Sequence, residues 1–342
     1  MSESLRDYTT LHVGGPAKKF VHASTETELI EAVRAADEAG EPVLIIGGGS
    51  NVLVGDSGFS GTVIRVETKG NSYAVDACSG GMITVAAGED WDEFVAWIIG
   101  KGFAGVETLS GIPGTVGAAP IQNIGAYGHE VSEVIARVRT WDRKAGALKT
   151  FSNSDCEFGY RASKFKKERD RYVILDVTFQ LRNGEMSLPI AYQELADHLG
   201  VALGDRALVT DVRRAVLELR ARKGMVLDGK DHDTWSAGSF FVNPIVSADV
   251  AAKLPSEAPR WPQSDGRVKL SAAWLMEKSG VNKGLAHNGA GVSNKHVLAL
   301  VNNGDATSAD LVVLAGQAKN AVREKFGIEL EAEVSLIGCE LN

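Results

Sequence analysis

Cysteine is scarce in this chain of 342 residues, and its three copies, Cys78, Cys156 and Cys339, lie far apart. None belongs to a C-x-x-C pair, and an odd number of thiols cannot all be joined in disulfides. The pattern therefore predicts reduced thiols in a reducing compartment, without a disulfide framework and without a zinc site. We expect no bound metal.

Long apolar runs are also missing. The N-terminal residues, MSESLRDYTT, show neither the basic segment nor the apolar core of a signal peptide. No apolar run reaches the length of a membrane-spanning helix. We therefore expect a cytoplasmic protein with no membrane partner.

Positive charge is in deficit, because 36 Lys and Arg residues face 44 Asp and Glu residues and leave a net charge of −8. Nucleic-acid binders depend on neutralising phosphates, so this balance disfavours a nucleic-acid partner. It does not exclude a small anionic ligand held by a local cluster. Apolar content of 44% and charged content of 23% are ordinary for a globular enzyme, and the length predicts two or three domains.

One stretch, from Gly111 to Gly128, carries no charge. It reads G-I-P-G-T-V-G-A-A-P-I-Q-N-I-G-A-Y-G, with five glycines. A core helix would not tolerate this much glycine. Backbone folded closely against a large flat ligand with a pyrophosphate explains the composition, because bare amide N–H groups can approach phosphate oxygens. A tight loop packed on its own protein explains it equally well.

A second glycine-rich turn, Gly47-Gly48-Gly49-Ser50-Asn51, follows a predicted buried strand at 42–46. The dinucleotide fingerprint requires a helix directly after such a turn, but residues 52–54 have the pattern of another strand. No G-K-[ST] follows, which excludes a P-loop. A phosphate-binding backbone nest and a plain β-turn are both left open. The presence of two such stretches favours a ligand.

The rest of the pattern predicts alternating strands and helices. Predicted strands are 17–23, 62–66, 82–87, 172–181, 297–301 and 328–337, with a hairpin joining 131–141 to 147–151. Predicted helices are 25–39, 91–99, 211–223, 271–279 and 307–326, and 182–210 has the pattern of an insertion of turn plus helix. The cations between 161 and 171 fit a solvated surface, except Arg161, whose neighbours Gly159 and Tyr160 indicate an enclosed site.

Five segments, in this order, resemble the UDP-N-acetylenolpyruvoylglucosamine reductase family of flavoenzymes, which act in bacterial cell-wall precursor synthesis. They are I-G-G-G-S-N-V-L-V (46–54), G-I-P-G-T-V-G-A-A-P-I-Q-N-I-G-A-Y-G-H-E (111–130), Y-R-A-S-K-F-K (160–166), A-G-S-F-F-V-N-P (237–244) and L-E-A-E-V-S-L-I-G (330–338). The resemblance covers essentially the whole chain.

The resemblance implies an α+β fold with a two-lobed FAD-binding module of the vanillyl-alcohol-oxidase type and a C-terminal α/β substrate-binding domain. Lobe 1 would take residues 1–70, with 328–342 returning to it. Lobe 2 would take 71–223, including the insertion at 182–210. The substrate-binding domain would take 224–327, and we expect a monomer.

By the same resemblance, the two glycine-rich stretches would hold FAD. Gly47–Asn51 would lie against the pyrophosphate, and the uncharged loop would line the rest of the cofactor. The implied cofactor residues are Gly47, Gly48, Gly49, Ser50, Asn51, Gly111, Gly114, Thr115, Gly117, Ala118, Gln122, Asn123, Gly125, Ala126 and Tyr127. Relatives in this fold class that attach flavin covalently use a His near the first turn, and none is present, so we expect non-covalent FAD.

The resemblance also implies a two-stage reaction. NADPH reduces FAD, and UDP-N-acetylglucosamine enolpyruvate then receives a hydride from flavin N5 at C3 and a proton at C2, giving UDP-N-acetylmuramate. Ser239 would donate the proton, and Arg161 and Glu333 would flank the enolpyruvyl carboxyl group and stabilise the enol. Arg suits a planar carboxylate because its donors form a fork. Glu331 is expected to be solvated.

Three further positions match substrate-contacting residues of the family. Tyr192, in the segment that marks a subtype with an additional substrate-covering loop, would cover the nucleotide diphosphate, although an ordinary half-buried tyrosine explains it nearly as well. Lys223 would lie near a substrate phosphate, and Asn243 would contact the substrate. One position departs from the family, because Val242 stands where a Lys is often found. The alternatives are an FAD-dependent sugar or alcohol oxidase on the same module and a flavin-storing regulator without turnover.

Overall fold

The structure is a computed structural model that describes residues 3–76 and 80–341. The strands are β1 Ala17–Ala23, β2 Val43–Ile46, β3 Val52–Val54, β4 Phe59–Val66, β5 Asn71–Asp76, β6 Gly80–Ala86, β7 Phe103–Ala104, β8 Gly125–Ala126, β9 His129–Glu130, β10 Ile135–Asp142, β11 Ala147–Ser152, β12 Tyr172–Asn183, β13 Ser236–Ser239, β14 Ile245–Val246, β15 Arg260–Pro262, β16 Val268–Leu270, β17 Ala286–His287, β18 Ala290–Val292, β19 Ala299–Asn302 and β20 Ser335–Ile337. The α-helices are α1 Glu26–Glu38, α2 Trp91–Gly100, α3 Lys164–Lys167, α4 Gln193–Leu199, α5 Val209–Arg222, α6 Ala248–Ala252, α7 Ala272–Lys278 and α8 Ser308–Phe326.

The described residues form two compact units. Unit 1 comprises 17–48, 60–76 and 80–222, and unit 2 comprises 3–16, 49–59 and 223–341. The three domain ranges expected from the sequence remain a prediction.

The helix termini follow the capping signals in the sequence. Thr25 caps α1 in a capping box, in which its hydroxyl accepts from the N–H of Glu28 and the Glu28 carboxylate accepts from the N–H of Thr25. Thr307 and Asp310 form the same arrangement at the start of α8, which ends at Gly327 with a φ of +65°. The predicted starts of both helices are confirmed.

Unit 1 contains a small sheet and a large sheet. The small sheet has the order β1-β4-β2, in which β2 and β4 are parallel. The large sheet has the order β11-β10-β12-β6-β5, with β7 beside β12, and its described pairings are antiparallel. The predicted hairpin is present as β10 and β11. Strand β5 was not predicted, because Asn71–Ala74 are all exposed and show no apolar alternation.

Aromatic side chains of α2 pack on the large sheet. Phe94 stacks on Phe179 of β12 with ring centroids 4.9 Å apart, and Trp91 lies 6.0 Å from the same ring. All three side chains are buried. These rings of α2 therefore belong to the core, where large aromatic side chains bury much apolar area.

Unit 2 contains the antiparallel sheet β13-β19-β18-β17, the antiparallel sheet β14-β16-β15 and the parallel pair β20-β3. Buried Asn302 ties the N-terminal segment to this unit, since its amide donates to the carbonyls of Leu11 and His12 at 3.1 and 3.2 Å. Helix α8 buries Leu311, Leu314 and other apolar residues in the core of this unit.

The prediction of one continuous strand at 328–337 was wrong, because only Ser335–Ile337 is a strand. The segment changes its hydrogen-bonding partner midway. Glu333 donates to the carbonyl of Phe240 at 2.8 Å, whereas Ser335 donates to that of Asn51 at 3.0 Å. An alternating sequence cannot reveal such a change, because both halves keep the same period of two.

Cys156 is buried and Cys339 half-buried, both as free thiols, and Cys78 lies outside the described residues. Burial raises the pKa of Cys156 to about 12, so this thiol stays protonated at neutral pH.

None of the helices in the described chain combines the length and apolarity needed to cross a membrane.

Candidate active site

The two glycine-rich stretches meet within unit 1. A Cβ atom built on Gly47 would lie 2.3 Å from Oγ1 of Thr115, and one built on Gly48 would lie 2.9 Å from Cα of Gly114. Real Cβ atoms do not make such short contacts, so both positions require glycine. The two stretches therefore pack backbone against backbone at Gly48, whereas Gly47 packs against the side chain of Thr115.

The second half of the first turn belongs to unit 2. Gly49 has a φ of +62°, and a Cβ there would lie 1.8 Å from the carbonyl oxygen of Tyr8. The side-chain amide of Asn51 donates to the carbonyl of Glu333 at 3.3 Å. A predicted cofactor residue and a predicted catalytic residue are thus directly hydrogen-bonded in this unit.

Amide donors on these turns are available to a ligand. The N–H groups of Gly48, Gly49 and Thr115 donate to no acceptor within residues 3–76 and 80–341. Uncommitted N–H groups on bare backbone are the donors that phosphate oxygens require. Gly48 and Thr115, both in unit 1, therefore offer the donors that the pyrophosphate of a dinucleotide cofactor requires.

Other glycines of the uncharged loop are explained by packing on the protein itself. Gly117 donates to the carbonyl of Ala87 at 2.9 Å, and a Cβ on Gly117 would lie 2.5 Å from that of Ala87. A Cβ on Gly128 would lie 2.7 Å from that of Ala191. The interpretation as a tight loop packed on its own protein therefore holds at these two positions, and the ligand interpretation of the loop stays a prediction.

Arg161 lies against the uncharged loop. Its guanidinium donates to the carbonyl of Gly125 at 2.9 Å and to that of Asn123 at 3.4 Å. It also lies over the ring of Tyr160, with 5.5 Å between Cζ and the ring centroid. The predicted solvated surface is confirmed for the exposed Lys167, which binds Glu157, and for Arg169, but it was wrong for Lys164, Lys166 and Arg171, which are half-buried like Arg161.

Asn123 supports this arrangement as a fully buried residue with a φ of +49°. Its amide nitrogen donates to Glu130 at 2.6 Å and to the carbonyl of Gly159 at 3.1 Å, and its amide oxygen accepts from the N–H of Ser132 at 3.0 Å. These bonds satisfy a side chain that would be costly to bury unpaired. Asn123 therefore serves the loop's conformation through its side chain.

Tyr127 and Tyr192 meet edge to face, with ring centroids 5.6 Å apart and an interplanar angle of 87°. Burial raises the pKa of Tyr127 to about 12, whereas Tyr192 is 45% exposed at the start of α4. The segment carrying Tyr192 is thus packed on the end of the uncharged loop, as the Gly128–Ala191 approach also shows.

In unit 2, Ser239 is the last residue of β13 and lies opposite Ala299. Its hydroxyl makes no hydrogen bond within the described chain. The next residue, Phe240, accepts the N–H of Glu333, so the backbone links the segments that carry Ser239 and Glu333. Glu333 is half-buried, and Glu331 is exposed as predicted.

Asn243 has its amide orientation fixed by helix α7. Its Oδ1 accepts from the N–H of Ala272 at 2.9 Å, which leaves the NH₂ end as the group offered to a ligand. Lys223 follows α5 and is half-buried. Val242 is half-buried and donates its N–H to the carbonyl of Glu331 at 3.0 Å, but its side chain supplies no charge.

Sequence patterns missed three charged residues near the loop. Asp92 accepts a hydrogen bond from the N–H of Gly111 at 2.6 Å, and buried Glu107 accepts from the N–H groups of Gly105 and Leu188 at 2.6 and 2.8 Å. Burial lowers the pKa of Arg220 to about 10. No motif marks them: Asp92 looks like an ordinary acid in the first turn of a helix, and Arg220 directly follows an apolar stripe.

Comparisons with known proteins match both halves of the chain. A family described as the FAD binding domain matches residues 17–152, and one described as the C-terminal domain of UDP-N-acetylenolpyruvoylglucosamine reductase matches residues 230–337. These matches confirm the predicted α+β fold class, an FAD-binding module of the vanillyl-alcohol-oxidase type followed by a C-terminal α/β domain.

Several relatives extend over the full chain. The UDP-N-acetylenolpyruvoylglucosamine reductase of Cutibacterium acnes is 55% identical over 98% of this chain and 90% of its own length. That of Thermobifida fusca is 49% identical over 98% of this chain and 97% of its own length. The crystal structure of the Thermus caldophilus enzyme is 26% identical, with a TM-score of 0.67 over 98% of both chains.

Proposed function

Because the chain belongs to the UDP-N-acetylenolpyruvoylglucosamine reductase family, we propose that it reduces UDP-N-acetylglucosamine enolpyruvate to UDP-N-acetylmuramate, using FAD and NADPH. The reaction is an oxidoreductase step of peptidoglycan precursor synthesis. The observation that carries the proposal is the 55% identity, over 98% of this chain, with the UDP-N-acetylenolpyruvoylglucosamine reductase of Cutibacterium acnes, together with the FAD binding domain matched at residues 17–152.

FAD supplies hydride transfer through its flavin ring when bound. In the proposal, the uncommitted N–H groups of Gly48 and Gly49 bind the pyrophosphate, together with Gly47, Ser50 and Asn51. The uncharged loop lines the remaining cofactor through its backbone and shape, with the residues Gly111, Gly114, Thr115, Gly117, Ala118, Gln122, Asn123, Gly125, Ala126 and Tyr127. Binding is non-covalent.

Three residues act on the enolpyruvyl group in this proposal. Ser239 gives a proton to C2 from a hydroxyl that makes no hydrogen bond within the described chain. Arg161, oriented by the carbonyls of Gly125 and Asn123, binds the substrate carboxylate through the forked donors of its guanidinium. Glu333 stabilises the enol form from a backbone held at both its N–H and its carbonyl.

In the proposal, three side chains contact the nucleotide diphosphate of the substrate. Asn243 presents an NH₂ group because Ala272 holds its oxygen, Lys223 supplies positive charge, and Tyr192 covers the phosphates from the segment packed on Gly128. No cation stands at Val242, so the proposal gives this position no phosphate contact.

Three broader features belong to the same proposal. The FAD lobes are residues 1–70 with 328–342 and residues 71–223, and the substrate-binding domain is 224–327. A nucleotide sugar and a reduced nicotinamide cofactor are cytoplasmic metabolites, so the enzyme would act in the cytoplasm. It would act as a monomer.

Anaerobic stopped-flow absorbance of the purified holoprotein tests the function. NADPH should bleach the flavin, and UDP-N-acetylglucosamine enolpyruvate should restore its oxidised spectrum. An oxidase on the same module would be reoxidised by oxygen and not by this substrate. NADPH consumption that does not depend on the enolpyruvyl compound would contradict the proposal.

A further inference from the structure

Asp92, in the first turn of α2, joins helix α5 to the start of the uncharged loop. Its Oδ1 accepts from the N–H of Gly111 at 2.6 Å and from the guanidinium of Arg213 at 2.6 Å, while Oδ2 accepts from the other arm of Arg213 at 2.8 Å. Burial opposes ionisation of Asp92, yet the hydrogen bonds from Arg213 and Gly111 hold the pKa of this carboxyl below its ordinary value. The group is therefore a carboxylate at neutral pH.

The hydrogen bond between Asp92 and Gly111 helps to hold the start of the uncharged loop. Gly111 has a φ of +70° and opens the loop. Residues beside Asp92 hold the next part, since Trp91 donates its N–H to the carbonyl of Gly114 at 3.0 Å and Val116 donates to that of Glu89 at 2.8 Å. The N-terminal end of α2 thus fixes residues 111–116 at both ends, and Asp92 contributes a charged side chain to that hold.

We propose that Asp92, held in place by Arg213, is a positioning residue that keeps the loop in its cofactor-binding conformation before FAD arrives. The inference rests on the proposed function, because it takes this loop as part of the FAD site. Asp92 acts through Gly111 and touches no reacting atom. A loop that is already ordered loses less conformational entropy on binding, so Asp92 contributes to affinity without contacting the cofactor.

The carboxylate is required because three donors converge on it. Asn at position 92 keeps one oxygen for Gly111, but its NH₂ group would face an N–H donor of Arg213. Arg213 would then lose its counter-charge in a place where Arg220 is also cationic. Asp92→Asn should therefore loosen the loop, whereas Arg213→Met should do so less, because the bond between Asp92 and Gly111 remains.

The matched control is another ion pair of unit 1. Asp37 accepts from Nη2 and Nε of Arg143 at 2.6 and 3.2 Å, and neither residue belongs to a glycine-rich stretch. Asp37→Asn removes the same charge from the same kind of pair. Both variants should lower the stability of the apoprotein to urea, so stability alone does not separate a positioning role from a structural one.

The test is the dissociation constant of FAD, measured by flavin fluorescence quenching on apoprotein, with amide hydrogen exchange of residues 111–117. Asp92→Asn should weaken FAD binding about 10-fold, as expected for one lost charge-assisted hydrogen-bonded pair, and speed exchange in this segment. Asp37→Asn should leave both unchanged. If Asp92→Asn does not fold, Arg213→Met gives the same readouts, with a smaller loss expected.

An unchanged FAD affinity in Asp92→Asn, or in Arg213→Met where that variant replaces it, would overturn the inference, and so would an equal loss in Asp37→Asn. Wild-type protein that binds no FAD would instead overturn the proposed function, and the inference with it. The two failures are therefore distinguishable.

Discussion

Arg161 donates to the carbonyl of Asn123 at 3.4 Å, and both residues have a positive φ, +50° and +49°. For residues other than glycine, that left-handed backbone conformation costs roughly 1–2 kcal/mol of conformational free energy. The hydrogen bonds that the buried side-chain amide of Asn123 makes with Glu130, Gly159 and Ser132 offset this strain at Asn123. The orientation of Arg161 therefore depends on the loop, and disturbing the loop should disturb the guanidinium.

Gly125→Ala should displace Arg161. A Cβ at this position would lie 2.9 Å from the carbonyl of His129 and 3.2 Å from a guanidinium nitrogen of Arg161. Because the backbone oxygen cannot move far, we expect the side chains to shift, both that of Glu130, whose Cγ would lie 3.0 Å away, and that of Arg161. We expect flavin reoxidation by the enolpyruvyl substrate to slow about 10-fold, the size expected for one misaligned charge-assisted bond, with a smaller effect on reduction by NADPH.

Gly159→Ala is the control for this prediction. A Cβ there would meet that of Ala162 at 3.8 Å, an ordinary contact, although Gly159 is close to Arg161 in sequence. Its two half-reactions should match those of the wild type in stopped-flow measurements. Equal slowing in both variants would contradict the dependence on Gly125.

The sequence predicted the features that depend on local chemistry. The glycine-rich stretches at 47–51 and 111–128, the helix start at Thr25 and the hairpin are local patterns, and the structure contains them. Asp92, Glu107 and the change of partner at Glu333 depend on which backbone atoms arrive from elsewhere in the chain. Hydrophobic periodicity does not identify those partners, so these features could be found only from the structure.

Ser239→Ala should separate the two half-reactions. The substitution removes a hydroxyl that makes no hydrogen bond within the described chain, so stability and FAD binding should change little. Loss of a general acid should slow flavin reoxidation by the substrate about 100-fold or more, while reduction by NADPH stays near the wild-type rate. Stopped-flow absorbance measures both steps. Equal slowing of the two steps would remove Ser239 from the proton-donor role.

Glu107→Gln should destabilise the segment that carries Tyr192. Glu107 is buried, and its two carboxyl oxygens accept from the N–H groups of Gly105 and Leu188. Glutamine can accept at only one of these sites and would set its NH₂ group against the other N–H, which should lower the free energy of unfolding by about 1–3 kcal/mol.

The measurements are urea unfolding and limited proteolysis of residues 186–206, with exposed Glu185→Gln as the control. Because Leu188 lies at the start of the Tyr192 segment, KM for the enolpyruvyl substrate should also rise more than kcat falls. Wild-type stability and KM in Glu107→Gln would rule out this anchoring role.

Asp310→Asn should weaken unit 2 in a pH-dependent way. Hydrogen bonds from the hydroxyl of Thr307, then from the amide of Asn288 and the N–H of Thr307, lower the pKa of Asp310 to about 2. An unfolded chain titrates this group at about 3.9, so the carboxylate contributes its full stability above that pH and loses it as the pH falls toward 2. The free energy of unfolding should therefore differ between wild type and variant at pH 7, and the difference should shrink between pH 4 and pH 3.

Thr307→Ala is the comparison, because it also removes the hydroxyl that accepts from the N–H of Asp310, and part of its loss should persist at low pH. A deficit in Asp310→Asn that stays constant from pH 7 to pH 3 would show that the shifted carboxylate is not its cause.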